Sequence, residues 1–322
     1  MKYTLLLSIL IIASIAKDIE NPRRFLGGEY EERGTIISHR DDISTILPNA
    51  TLVASPNVIS NGEDVIVSWS GVENASKNDW VAIFCPADLG SDTDYLDYLY
   101  TNTASPSGSV RFTNLLNMRC EYGFRYYHGT KNSEGRYPLV AISNKVQLAK
   151  GITEVTQIHA SLTQDPSQMQ ITWVTGSNKY NPTIIYGLSE ANLNQTATSD
   201  ASASQTYRAD QMCGSPANTT SQATFRDPGW IHSVLLEDLQ PNTLYFYQCG
   251  NSVEGWSDVL WLRSSPSSTN FTDPETATIG AKLIVYGDMG VDAPPAAFTT
   301  ADRVANDVFS GYQLILHIGD IR

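Results

Sequence analysis

Residues 281–290, AKLIVYGDMG, and residues 314–321, LILHIGDI, are two apolar runs that each end in Gly-Asp. A continuous apolar run bounded by Gly reads as a strand buried on both faces, as in a parallel sheet. Between the runs, Thr299-Thr300-Ala301-Asp302 reads as a helix start. Phe298, Ala301, Ala305, Val308 and Phe309 then fall at helical spacing. Strand, helix and strand in this order form one βαβ unit. Two strands make an incomplete sheet. The expectation is therefore that the chain ends inside an α/β domain and, as given, is aggregation-prone through its exposed apolar strands.

The chemistry sits at the ends of those runs. Asp288 follows Tyr286-Gly287, and Asp320 follows Ile318-Gly319. Ligands of open α/β sheets bind outside the carboxyl ends of the strands. Neighbouring strands lie about 4.8 Å apart, so two aspartates there can reach one shared cation. Carboxylates suit hard cations, and paired metals hydrolyse phosphoesters by activating water and stabilising charge. A single Gly-Asp carries little weight, because such aspartates commonly cap helices or open turns. Two of them on one βαβ unit carry more.

Upstream, 267–278 is rich in Ser, Thr and Pro and reads as a linker. Residues 151–266 read as a β-sandwich. Gln170-Ile171-Thr172-Trp173-Val174-Thr175 alternates, and Thr183–Gly187, Trp230–Leu236 and Val259–Arg263 supply further strands. The segment 239–247, LQPNTLYFY, resembles the E–F corner of a fibronectin type III domain, where a Tyr anchors the start of strand F. Residues 49–150 read as another sandwich, with strands at Val65–Trp69, Trp80–Phe84, Tyr122–Tyr127 and Leu139–Ile142. The fold class expected is thus mostly β: two β-sandwich domains, the second fibronectin type III-like, then the first βαβ unit of an α/β domain from 279 to 322.

The N-terminus carries a targeting signal. Met1-Lys2-Tyr3 precedes an apolar run from Thr4 to Ile15, and Ser14-Ile15-Ala16 supplies small residues for cleavage. Residues 1–16 read as a signal peptide, because the run is too short to span about 30 Å of hydrocarbon. Residues 17–48 read as a flexible leader. Export agrees with five Asn-X-Ser/Thr sequons, at Asn49, Asn74, Asn194, Asn218 and Asn270. It also agrees with four cysteines, Cys85, Cys120, Cys213 and Cys249. Three pairings of the four are open. Closure within each module favours Cys85–Cys120 and Cys213–Cys249, and no CxxC spacing supports zinc. The net charge of −13 argues against nucleic-acid partners and anionic membranes. It leaves phosphate substrates open, because a bound metal inverts the local charge.

On these motifs the chain resembles the purple acid phosphatases, in their long form and within the metallophosphoesterase superfamily. Asp288-Met289-Gly290 resembles the family's first metal motif, with Gly where the wider superfamily has His. Gly319-Asp320-Ile321-Arg322 resembles the start of the second, whose Tyr would come next. Residues 158–175, 210–216, 226–236 and the run Gly255-Trp256-Ser257-Asp258 resemble the family's β-sandwich. Residues 79–87 and 139–148 resemble the extra domain of long members. The resemblance implies that Asp288 binds a ferric ion and that Asp320 bridges it to a second divalent metal (iron, zinc or manganese). It implies acid hydrolysis of phosphate monoesters, with nucleotide pyrophosphatase or phosphodiesterase activity as the alternative. It further implies a small phosphate ester or nucleotide as substrate and a secreted, extracellular or vacuolar/lysosomal location, and it allows a homodimer. No catalytic set is complete in this chain, since the remaining ligands would lie beyond Arg322.

The rival class is a tandem β-sandwich that binds extracellular partners without chemistry. Other candidate groups read as structural. His317, His159 and His232 lie on strands without Cys/His partners. His128 and the Tyr122–Tyr127 run read as strand packing rather than a binding face. Asp88, Asp92, Asp94 and Asp97 lack calcium-loop spacing and read as a solvated loop.

Overall fold

A computed structural model of the chain describes residues 49–88, 94–212, 214, 225–265, 282–289, 296–309, 312 and 314–321. The expected signal peptide, the leader and the 267–278 linker lie outside these, as do Asp92, Cys213, Asn218 and Asn270. The chain divides into two compact units. Among the described residues, one holds those from 49 to 153 together with those of Tyr207–Pro228, and the other holds Glu154–Thr206 and those from Gly229 onward. Among the described residues no helix is long and apolar enough to cross a membrane. The chain is mostly β.

The first unit contains β1 (Thr51–Ser55), β2 (Val58–Ile59), β3 (Glu63–Ser70), β4 (Trp80–Phe84), β5 (Asp97–Tyr100), β6 (Gly108–Leu115), β7 (Gly123–Tyr127), β8 (Leu139–Ile142) and β9 (Gln147–Leu148). A three-stranded sheet, β1-β3-β6, and a four-stranded sheet, β5-β4-β7-β8, are both antiparallel; β2 and β9 form a short parallel pair. The alternation along β3 sends Val65, Val67 and Trp69 inward. They meet Val81, Ile83, Phe124 and Tyr126 from the other sheet in one core. β4 and β7 are buried along their whole length. Their second face carries Trp80, Phe84 and Tyr127, with Trp80 stacked on Tyr127 at 4.4 Å between ring centres. The Arg125 guanidinium lies 4.2 Å over the Phe84 ring, a cation–π contact. The Tyr-rich run is thus packing on both faces. Cys85 and Cys120 are joined in a disulfide that closes a separation of 35 residues.

The second unit contains β10 (Thr156–Leu162), β11 (Met169–Thr175), β12 (Thr183–Gly187), β13 (Gln195–Thr198), β14 (Trp230–Leu236), β15 (Leu244–Asn251), β16 (Gly255–Trp256) and β17 (Leu260–Arg263). The sheet β10-β11-β14 faces the sheet β13-β12-β15, on whose β15 both β16 and β17 pair. Met169, Ile171 and Trp173 from one sheet and Ile184, Tyr186, Tyr245 and Tyr247 from the other share a single core. At the turn into β15, the Gln240 N–H donates to the Tyr245 hydroxyl at 2.9 Å. That bond ties the start of the strand to the backbone just upstream, the geometry of a tyrosine corner. The expected Cys213–Cys249 bridge involves Cys213, which lies outside the described residues. Cys249 is a wholly buried thiol on the same inward row as Tyr245 and Tyr247. Side chains on a strand alternate between faces, so that row turns the sulfur into the core, and burial pushes the thiol pKa up.

The unit continues into β18 (Leu283–Met289), α1 (Ala296–Phe309) and β19 (Leu314–Ile321). β18 and β19 pair in parallel, joined through α1, which is the βαβ unit read from the sequence. The helix begins at Ala296, ahead of the expected Thr299 start. Pro294-Pro295 directly before it is the stronger signal, because proline suits the first helical turn.

Candidate metal centre

Asp288 and Asp320 lie on adjacent parallel strands, at the same ends of both. Their side chains fall outside the described set, so the site is defined here by its backbone. The register is Tyr286↔His317 and Gly287↔Ile318, then Met289↔Ile321. Between the last two pairs β19 uses one more residue than β18, a bulge. Counted forward from Gly287↔Ile318, Asp320 lies one place further along than Asp288. Counted back from Met289↔Ile321, each aspartate is the residue directly before its paired position. The bulge therefore brings the two aspartates level, where without it they would be staggered.

The strands run through the aspartates to Met289 and Ile321, instead of stopping at the glycines as the sequence reading supposed. Gly287 is needed for another reason than a sharp turn. A Cβ there would meet the Ile318 carbonyl oxygen at 2.3 Å, so only Gly lets the two backbones approach this closely. Just before the site, the Tyr286 and His317 rings lie 5.0 Å apart across the pair. Burial raises the Tyr286 pKa, so the phenol stays protonated through the neutral and acid range. Among the described residues no three His, Cys, Asp or Glu side chains converge to hold a metal ion.

The remaining candidates resolve into structural contacts. The Asp88 carboxylate pairs with Lys145, which also meets Glu121 at 3.2 Å. The Asp97 Oδ1 accepts the Tyr98 N–H. His159 Nδ1 lies 3.2 Å from the Gln157 carbonyl oxygen. His232 is buried between two hydroxyls, with Nε2 2.8 Å from Thr175 Oγ1 and Nδ1 2.8 Å from Ser204 Oγ. The Thr175 hydroxyl already donates to the Ser177 carbonyl. Thr175 must therefore accept from His232 Nε2–H, and the bare Nδ1 accepts from Ser204.

One polar centre escaped the sequence reading. Asp79, 1% exposed, accepts from the Ser76 and Gly129 N–H groups and from the Tyr126 hydroxyl, and pairs with His128 Nδ1. It ties the entry of β4 to the exit of β7. A Cβ on Gly129 would lie 2.2 Å from the Asn78 carbonyl oxygen, so Gly129 permits this approach. The Ser76-Lys77-Asn78-Asp79 turn was a local signal; the partners on β7 were not.

The described residues thus form a mostly β chain that leads into a parallel strand pair with an aspartate near the tip of each strand. Comparisons with known proteins narrow this. Residues 155–264 match the family model described as Purple acid Phosphatase, N-terminal domain. Probable inactive purple acid phosphatase 9 of Arabidopsis thaliana is 29% identical over 312 residues, covering 87% of this chain and 45% of the relative. Acid phosphatase type 7 of Mus musculus is 30% identical over 185 residues, covering 56% of this chain and 36% of the relative. The solved structure of a purple acid phosphatase from yellow lupin (Lupinus luteus) seeds superposes with a TM-score of 0.66 at 23% identity, over 84% of this chain and 51% of that one. The chain resembles the N-terminal region of the purple acid phosphatases. It spans less than half the length of the curated relatives cited here.

Proposed function

We propose that this chain is the N-terminal part of an exported acid phosphatase that hydrolyses phosphate monoesters, with Asp288 and Asp320 among the ligands of a dinuclear centre of ferric iron and a second divalent metal. The observation that carries the reading is the level placement of the two aspartates on neighbouring strand tips. Carboxylates suit hard cations, so two aspartates at level backbone positions fit such a centre as part of a larger ligand set. When bound, a metal pair supplies Lewis acidity and an activated water. The chain's own contribution is to fix the two carboxylate-bearing positions by the bulge and by the close strand approach at Gly287. On this reading the second sandwich is a fibronectin type III-like platform for the catalytic domain.

The test uses the full-length product of the gene, purified with iron. Asp288→Asn and Asp320→Asn should each lower bound metal and weaken the tyrosinate-to-iron absorption that colours the family. Both should also lower hydrolysis of p-nitrophenyl phosphate at acid pH by orders of magnitude. Unchanged metal content in both variants would refute the assignment. Several relatives bear names beginning "Probable inactive", which favours a second reading of a protein that holds metal without turnover. Metal loss on substitution, without activity in the parent, would identify that case.

A further inference from the structure

Three sequon asparagines are described, Asn49, Asn74 and Asn194, and all three are exposed. Two of them stand directly before a strand at the edge of a sheet. Asn194 precedes β13, the edge of the β13-β12-β15 sheet, and Asn49 lies just before β1, the edge of β1-β3-β6. An edge strand offers unpaired N–H and C=O groups to any other chain. Neighbouring edges carry their own protection. The β14 edge is covered by an isolated bridge between Gln205 and Ile231. β10 is broken by a register shift between Thr156 and His159, with Gln157 at φ 53°. At the far end of β1, the Ala54 N–H donates to Asn144 Oδ1 at 2.9 Å, and Asn144 Nδ2 donates to the Ala54 carbonyl at 3.1 Å. That side chain imitates a strand partner. Outward backbone groups recur at every second residue, so Leu52 is the next outward position on β1, on the side toward Asn49. β13 has exposed Gln195, Thr196 and Thr198 along its length, and shortness is its main defence.

We propose that Asn194 and Asn49 carry N-linked glycans that guard the edges of β13 and β1, which meet no further strand among the described residues, against pairing with another chain. In the modification, the asparagine Nδ2 bonds to C1 of an oligosaccharide while the C1–O bond to a polyprenyl diphosphate carrier breaks. The carrier leaves with the electron pair, and the amide gives one proton to solvent. The glycan is a bulky, hydrated shield placed where the strand begins. Asn74 lies in the turn between β3 and β4 at φ 52° and lines one surface hollow with Asn49, so a glycan there would stand beside that of Asn49.

The proposal rests on the export reading, so the full chain is secreted from a glycosylating host in two forms, with its own first sixteen residues and with a host secretion signal. Enzymatic glycan release in heavy-oxygen water, followed by peptide mass spectrometry, should mark Asn49 and Asn194. Light scattering after size exclusion should show larger species rising several-fold in Asn194→Gln, in Thr196→Ala and further in the Asn49→Gln/Asn194→Gln pair. Thr196→Ser, which keeps the sequon, should match the parent. Retention in the cell with the chain's own leader alone would refute export and leave the edge proposal standing. An unmodified Asn194 behind the host signal, or an equal rise in Thr196→Ser, would overturn the edge proposal.

Discussion

Replacing Asp79 by Ala should unlock the first unit without altering its apolar core. Four groups lose their acceptor at once: the Ser76 and Gly129 amides, the Tyr126 hydroxyl and the His128 ring. Hydrogen bonds to a charged group contribute about 1.5–3 kcal/mol each, but the four are not equal. His128 and Gly129 are partly exposed and can turn to water, whereas the Tyr126 hydroxyl sits on a side chain at 0% exposure. Counting that hydroxyl, whose remaining contact is Thr101, together with the others in part gives about 3–5 kcal/mol, the range for breaking a buried charged network. Native-state hydrogen exchange on the peptide covering Gly123–Tyr127 reads this directly. Its slowest amides should exchange roughly a thousandfold faster, since about 1.4 kcal/mol is a factor of ten. Tyr126→Phe should lose less alone and add little on top of Asp79→Ala, because the two share one bond. A loss below about 1 kcal/mol, on a scale where a neutral hydrogen bond is worth that much, would refute the reasoning. So would equal loosening of β15 in the other unit.

Three further outcomes follow. Cys85→Ser/Cys120→Ser should cost about 4 kcal/mol in the chain-entropy limit for a closure of 35 residues, measured by urea unfolding against the oxidised parent. Burial holds the His232 pKa below its ordinary value, so the unfolded chain binds the proton more readily. Stability of the second unit should therefore be full above pH ~6.5, the unperturbed imidazole value, and fall as the pH drops below it; His232→Gln should flatten that slope in thermal melts between neutral and acid pH. Tyr245→Phe keeps the ring in the core but strips the acceptor from the Gln240 amide, and should cost about 1 kcal/mol, seen as a lowered melting temperature.

The long, one-sided or wholly apolar strands were legible in the sequence. The alternation at Val65, Val67 and Trp69 and the unbroken run at Trp80–Phe84 state their burial outright. The run Leu283–Tyr286 reads as equally buried, yet Leu283 is 43% and Val285 51% exposed, because a strand is covered on both faces only where other elements pack on both. β13 was not legible, because Gln-Thr-Ala-Thr is polar and becomes a strand only through its pairing with β12. The positions of Asp288 and Asp320 were readable because strand, glycine and aspartate are adjacent in sequence. The bulge that levels them was not, since register is a property of two strands together. Asp79 escaped for the same reason: its partners on β7 lie far along the chain.

The grouping of Tyr207–Pro228 with the first unit reaches into how the protein is made. The Arg119 side chain donates to the Asp227 carbonyl at 3.2 Å, and Arg226 donates to the Asp94 carbonyl at 3.0 Å. A ribosome that has released Thr153 has delivered every strand of the first unit but not the segment that fastens over it. The unit must wait, half-finished, while β10 to β13 emerge. Protease cleavage at Thr153 would accordingly fail to free an intact module, and an early translational stall would expose one to quality control.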